Sequence, residues 1–169
     1  MAISMHSASV PVFVRMLTNM LGWLDKAEAH AKSRGFEPDA YLALRLAPDM
    51  LPFSRQIQIA SDAVKGCVSR LAGDEAPKWA DDEATLDALR ARIRKTIEYA
   101  QSVPASRIDG SETRKVQLPI GPERTMEFEG EAFLKGFSLP NFFFHVTTTY
   151  ALLRQAGVQL GKMDYLGAP

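Results

Sequence analysis

A chain of 169 residues with 20 basic and 20 acidic side chains carries no net charge, so no long-range field draws it to a phosphate backbone or an anionic membrane surface. At 46% hydrophobic it is long enough to bury roughly two thirds of its unfolded surface as one domain, residues 1–169, with no disulfide or metal required for stability. Its one cysteine, Cys67, agrees with a reducing compartment; the N-terminus lacks a basic segment followed by an apolar one, and no window reaches the ~18 apolar residues of a membrane span. The expectation is a cytoplasmic protein without nucleic-acid or membrane partners.

The first helix is predicted from Ser9 to Lys32, with Val10, Phe13, Leu17, Met20, Leu21 and Leu24 on one face. Pro11 suits its first turn and Gly35 its stop. Residues 36–48, with Pro38 and Pro48, read as a packed connector. A second helix follows from Asp49, a good N-cap, to Leu71; Pro52 falls in its first turn, and Phe53, Ile57, Ala60, Val64, Cys67 and Leu71 form a core stripe. In that stripe the Cys67 thiol is expected to be buried and inert. Gly73 ends the helix.

Asp81, Asp82 and Glu83 are expected to load the start of a third helix with negative charge. Leu86, Leu89, Ile93, Ile97 and Ala100 make its inner face, and the run Arg90, Arg92, Arg94 and Lys95 reads as a solvated face. After Pro104 the period changes to two. Val116, Leu118 and Ile120, a turn at Gly121-Pro122-Glu123, then Met126 and Phe128 predict a β-hairpin lying on the helices, with Pro119 on an edge strand. Pro140 is expected to open the fourth helix and Gly157 to close it. The fold class is all-α: a four-helix bundle with a small hairpin between helices 3 and 4.

His145 is the best candidate for chemistry. At four-residue spacing it shares a face with Phe142, Thr149 and Leu152, so the imidazole should point into a helix-packing seam. Asn141 and Tyr150 are candidates to orient a substrate beside it, and Phe142 to Phe144 suit core or dimer packing. His6 and His30 flank the first helix roughly 36 Å apart, so at most one can approach His145; in an up-down-down-up bundle, where the first and fourth helices start level, that one would be His6. Asp62 is a further oxygen donor, although a place on a solvent-facing edge near Gln58 and Lys65 explains it better. Met163 and Leu166 should pack against the bundle end.

Two runs and the tail carry a resemblance: Pro48-Asp-Met-Leu-Pro-Phe-Ser-Arg-Gln-Ile-Gln-Ile-Ala-Ser-Asp62, Pro140-Asn-Phe-Phe-Phe-His-Val-Thr-Thr-Thr-Tyr-Ala-Leu-Leu-Arg154, and Gly161-Lys-Met-Asp-Tyr-Leu-Gly167. They resemble a bacterial and fungal family of unknown function within the DinB/YfiT-like superfamily of metalloenzymes. The resemblance implies a bundle of up-down-down-up order, often dimeric. In active members a divalent metal is held by one histidine on the second helix and two on the fourth, for thiol transfer or hydrolysis. Here His145 matches the first of the fourth-helix pair, but Thr149 stands where its partner would be and Gln56 at the second-helix position. Carboxamide and hydroxyl are weak ligands for zinc or nickel. The expectation is therefore a ligand-binding or non-catalytic homodimer with no cofactor and pocket candidates His145, Thr149, Gln56, Asn141 and Tyr150. The alternative is a transferase or hydrolase with a modified pocket around His145, a divalent metal being the minority expectation.

Overall fold

The computed structural model describes residues 3–121 and 123–167; Pro122 of the expected turn lies outside the described residues. Helix α1 spans Val10–Arg34, with a proline in its first turn, and stops at Gly35, whose φ of 75° places it in the left-handed region that glycine enters without strain. The connector contains a 3₁₀ helix, Pro38–Ala43. Helix α2 then runs Phe53–Ala72. Asp49 does not cap it: Pro52 holds the cap position and the Phe53 amide donates to the Leu44 carbonyl, so the connector's backbone satisfies an orphan donor that a side chain was expected to take.

Helix α3 spans Leu86–Ser102 and is capped by the Thr85 hydroxyl, which accepts from the Ala88 amide. Asp81, Asp82 and Glu83 therefore precede the helix instead of forming its first turn. Two of them serve a different purpose. The side chain of Arg92, 2% exposed, pairs at 2.9 Å with each of Asp62, Asp81 and Glu83, and Arg90 is buried against Glu28 and Asp87. The expected solvated face is thus half wrong: Arg94 and Lys95 are exposed, but Arg90 and Arg92 hold the preceding loop and the neighbouring helices to α3. Asp62, Gln58 and Lys65 likewise lie along a contact between elements and not along an open edge, and Gln58 donates to Glu83.

A short helix α4, Ala105–Ile108, leads to strands β1, Lys115–Ile120, and β2, Arg124–Glu129. They pair antiparallel, with Val116 opposite Phe128 and Pro119 opposite Thr125. The hairpin lies on the helices through buried Val116 and through Phe128, whose ring meets Phe133 and Phe137, each at 5.8 Å.

The last long helix begins ten residues before Pro140. Helix α5, Gly130–Phe133, passes through a π turn, Leu134–Ser138, into α6, Leu139–Gln155. Proline inside a helix removes one amide and crowds the preceding turn, and the wide π turn accommodates that defect. Gly130 starts the run pressed on the loop below, where a Cβ would lie 2.0 Å from the Ser111 carbonyl oxygen. Gly157 follows the helix at φ 91°, its amide donating to Arg154 and the next to Leu153.

Side-chain pairs give the helix directions. Phe13 meets Phe142 and Trp23 meets Tyr150, so α1 and α6 are parallel. Asp62 and Ser69 meet Arg92 and Tyr99, so α2 and α3 are parallel. Glu28 meets Arg90 while the His6 amide bonds Asp109, so α1 and α3 are antiparallel. The order is up-down-down-up. Helix α7, Lys162–Leu166, closes the bundle end, but not with the residues expected. Met163 is 68% exposed and Leu166 46%; instead Tyr165 stacks on Trp23 at 5.6 Å and Asp164 pairs with Lys26. Among the described residues no helix is long and apolar enough to cross a membrane.

Candidate functional site

Helix α6 buries Phe142, Val146, Leu152 and Leu153, and that apolar stripe carries His145 and Thr149 inward with it. His145 is 8% exposed. Its Nδ1 lies 2.7 Å from Gln56 Oε1, across the α2–α6 seam, and Gln56 Nε2 donates to the Leu51 carbonyl at 2.8 Å. These two contacts fix the chemistry of the pair. A main-chain carbonyl only accepts, so the Gln56 atom facing Leu51 is the NH₂ group and the one facing His145 is the amide oxygen. That oxygen also only accepts, so the proton sits on His145 Nδ1 and, in the neutral ring, Nε2 holds the lone pair.

Burial pushes the His145 pKa below the usual histidine value, which keeps the ring neutral near pH 7. Among the described residues Nε2 has no hydrogen-bond partner. One exposed apolar side chain meets the imidazole, and a second belongs to the residue whose backbone receives Gln56. Phe144 is 55% exposed and its ring meets the imidazole edge-on at 5.2 Å; Leu51, whose carbonyl receives Gln56, is 45% exposed.

Thr149 is fully buried, but its hydroxyl donates to the His145 carbonyl one turn back and so serves its own helix. The residues at the three superfamily ligand positions do not fit a divalent ion: one imidazole, one carboxamide tied at both ends, one hydroxyl already committed. Among the described residues no group of three His, Cys, Asp or Glu could hold one. His6 is tied through its amide to Asp109, and His30 Nδ1 meets the Tyr41 hydroxyl at 2.6 Å, beside Phe36. Asp62 is committed to Lys65 and Arg92.

The other two pocket candidates do not join His145. Tyr150 packs edge-on against Trp23 and Tyr165 at the α1–α7 side. Asn141 lines a separate cleft with Arg70, Phe133 and Phe137. Cys67 is fully buried, and burial pushes its thiol up to about 12 against the smaller opposing effects of Ser138 and Arg70, so it is no nucleophile.

Residues 5–166 match the family described as Domain of unknown function (DUF1993). The chain belongs to this family. The crystal structure of a DinB family member protein from Shewanella denitrificans is similar to it at 37% sequence identity and a TM-score of 0.89, covering 97% of this chain and 92% of that one. No curated protein matches. The DinB-like bundle inferred from the Gln56 and His145 runs is thereby the fold of this DUF1993 member.

One feature of interest escaped the sequence reading: Arg70, half-buried at the cleft. Its signal was Gly66, four residues earlier inside a helix, where glycine is unfavourable without a packing reason.

Proposed function

We propose that this DUF1993 chain is a metal-free relative of the DinB-like metalloenzymes, a homodimer that binds a small ligand through His145. The observation that carries this reading is the closed chain from His145 through Gln56 to Leu51. It uses the second-helix position to orient the imidazole instead of ligating an ion, and it leaves Nε2 as an acceptor on a ring that meets exposed Phe144. Exposed Phe144 supports a contact with a second copy, as does the dimeric habit of the superfamily.

Metal content and thermal melting test it. Protein purified without a histidine tag should carry well under one equivalent of divalent metal, and micromolar zinc or nickel should leave Tm unchanged, since an ion bound tightly to the folded state would raise it by mass action. The Gln56→His, Thr149→His double variant should gain metal affinity. A full equivalent in wild type overturns the reading. Light scattering that finds a monomer removes the dimer.

One observation favours the enzymatic alternative. A neutral imidazole whose Nδ1–H is held by an acceptor leaves Nε2 in the state a general base requires. Saturable hydrolysis of p-nitrophenyl acetate, abolished in His145→Ala, would place that reading first.

A further inference from the structure

A cleft of about 240 Å³ opens where α2, the hairpin and the π turn meet. Its walls are largely apolar: Ile59 from α2, Leu118 from β1, and Phe133 and Phe137 from the helix that carries the π turn. A guanidinium stands among them. Arg90 and Arg92 are each surrounded by carboxylates, but Arg70 pairs with none among the described residues and makes one long bond, 3.4 Å, from Nε to the Gln117 carbonyl. The side chain folds back one turn to lie on the bare backbone of Gly66, where a Cβ would come within 2.4 Å of Nη1. Glycine at that helix position therefore makes the room the guanidinium occupies. Burial, with no counter-ion among the described residues, pulls the Arg70 pKa below its usual value, the condition that an incoming anion relieves.

Asn141 adds a side-chain amide with no hydrogen-bond partner among the described residues, while the Ser138 hydroxyl, also at the cleft, is turned to the Cys67 thiol. Asp62 lines the cleft too, but Lys65 at 2.7 Å and Arg92 at 2.9 Å neutralise its charge. Apolar walls with a single guanidinium disfavour a phosphate, which needs several donors, and suit an acid with a hydrocarbon body.

We propose that this cleft binds a small apolar carboxylate, its carboxylate on Arg70 and Asn141 and its hydrocarbon against Leu118, Phe133 and Phe137. The site is separate from His145, and the volume holds a ligand of about six to ten non-hydrogen atoms, taking roughly 30 Å³ per water displaced.

Calorimetric titration of the full chain with hexanoate tests it, with 1-hexanol as the uncharged analogue. Saturable one-to-one binding with a Kd of about 1 mM or lower is expected for a ligand of this size, and hexanol should bind at least about tenfold more weakly because it offers no partner to the guanidinium. Arg70→Gln should weaken hexanoate by about tenfold or more and Arg70→Lys by less, the ammonium keeping charge without the fork. Gly66→Ala should also weaken it by displacing the guanidinium, and Arg94→Gln, at an exposed site, should change nothing. Amide chemical-shift changes should centre on Gly66 and Ser138. Absence of saturable binding up to about 20 mM overturns the proposal, as does hexanol binding equally well. Unaltered affinity in a folded Arg70→Gln, or shifts confined to another face, overturns it too.

Discussion

At the scale of single residues, His145 and Arg92 show two ways of burying a polar group. His145 enters the seam neutral, its Nδ1 proton given to Gln56. Long-range proton–nitrogen spectra should accordingly show Nδ1 protonated and Nε2 bare at neutral pH. Because burial lowers its folded pKa, the unfolded state binds protons more readily, so its contribution to stability is complete above the unfolded value of about 6.5 and falls away as pH drops from there toward the folded pKa. Denaturant titrations at pH 7.5 and 5.5 should show that loss in wild type and a smaller one in His145→Gln.

Arg92 enters charged, with Asp62, Asp81 and Glu83 around it. Arg92→Met should destabilise by about 1–3 kcal/mol, because Glu83 loses its ion-pair partner while Asp62 and Asp81 keep Lys65 and Arg55. A change under about 0.5 kcal/mol in a urea titration would mean the group behaves as an ordinary surface pair.

Among the elements, the two inner stripes were drawn correctly from periodicity. Ile57 on α2 and Leu89 on α3 are fully buried, and truncating either to alanine should cost about 2–5 kcal/mol through lost burial and the cavity left behind. Equilibrium unfolding measures this directly. Helix starts depart from what composition predicts. Asp49 and the acidic trio have the composition of caps, but the connector carbonyl and the Thr85 hydroxyl take those positions. Pro140 reads locally as a helix opening, and its place inside a longer run depends on the π turn before it, which leaves no mark in hydrophobic spacing.

Across the whole molecule, three aspartates tie peripheral segments to the bundle, and each has its pKa held below the usual carboxylate value. The His6 amide holds Asp109, and a Lys26 hydrogen bond holds Asp164. Burial works against Asp81, but the Arg55 bond and the Arg92 and Arg55 charges outweigh it. A depressed folded pKa contributes stability that is complete above the unfolded value, about 3.9, and is lost as pH falls through the folded pKa. The urea midpoint should therefore drop as pH falls below about 4, and less so in Asp81→Asn. An identical acid profile in that variant would show the loop pairing adds nothing.

The sequence by itself determined the four long helices, their buried stripes, the hairpin, the seam position of His145, and, through the Gln56 and His145 runs, the family. Periodicity records which face of an element must leave water, and that demand is local to each segment. The tertiary structure alone decided that Gln56 holds His145 in one tautomer, that Asn141 and Tyr150 serve different surfaces, that Arg92 gathers three carboxylates, and that Arg70 lies over Gly66. Each of these is a meeting of polar side chains, and their partners are chosen by where folding brings separate elements together, a distance that spacing along the chain does not encode.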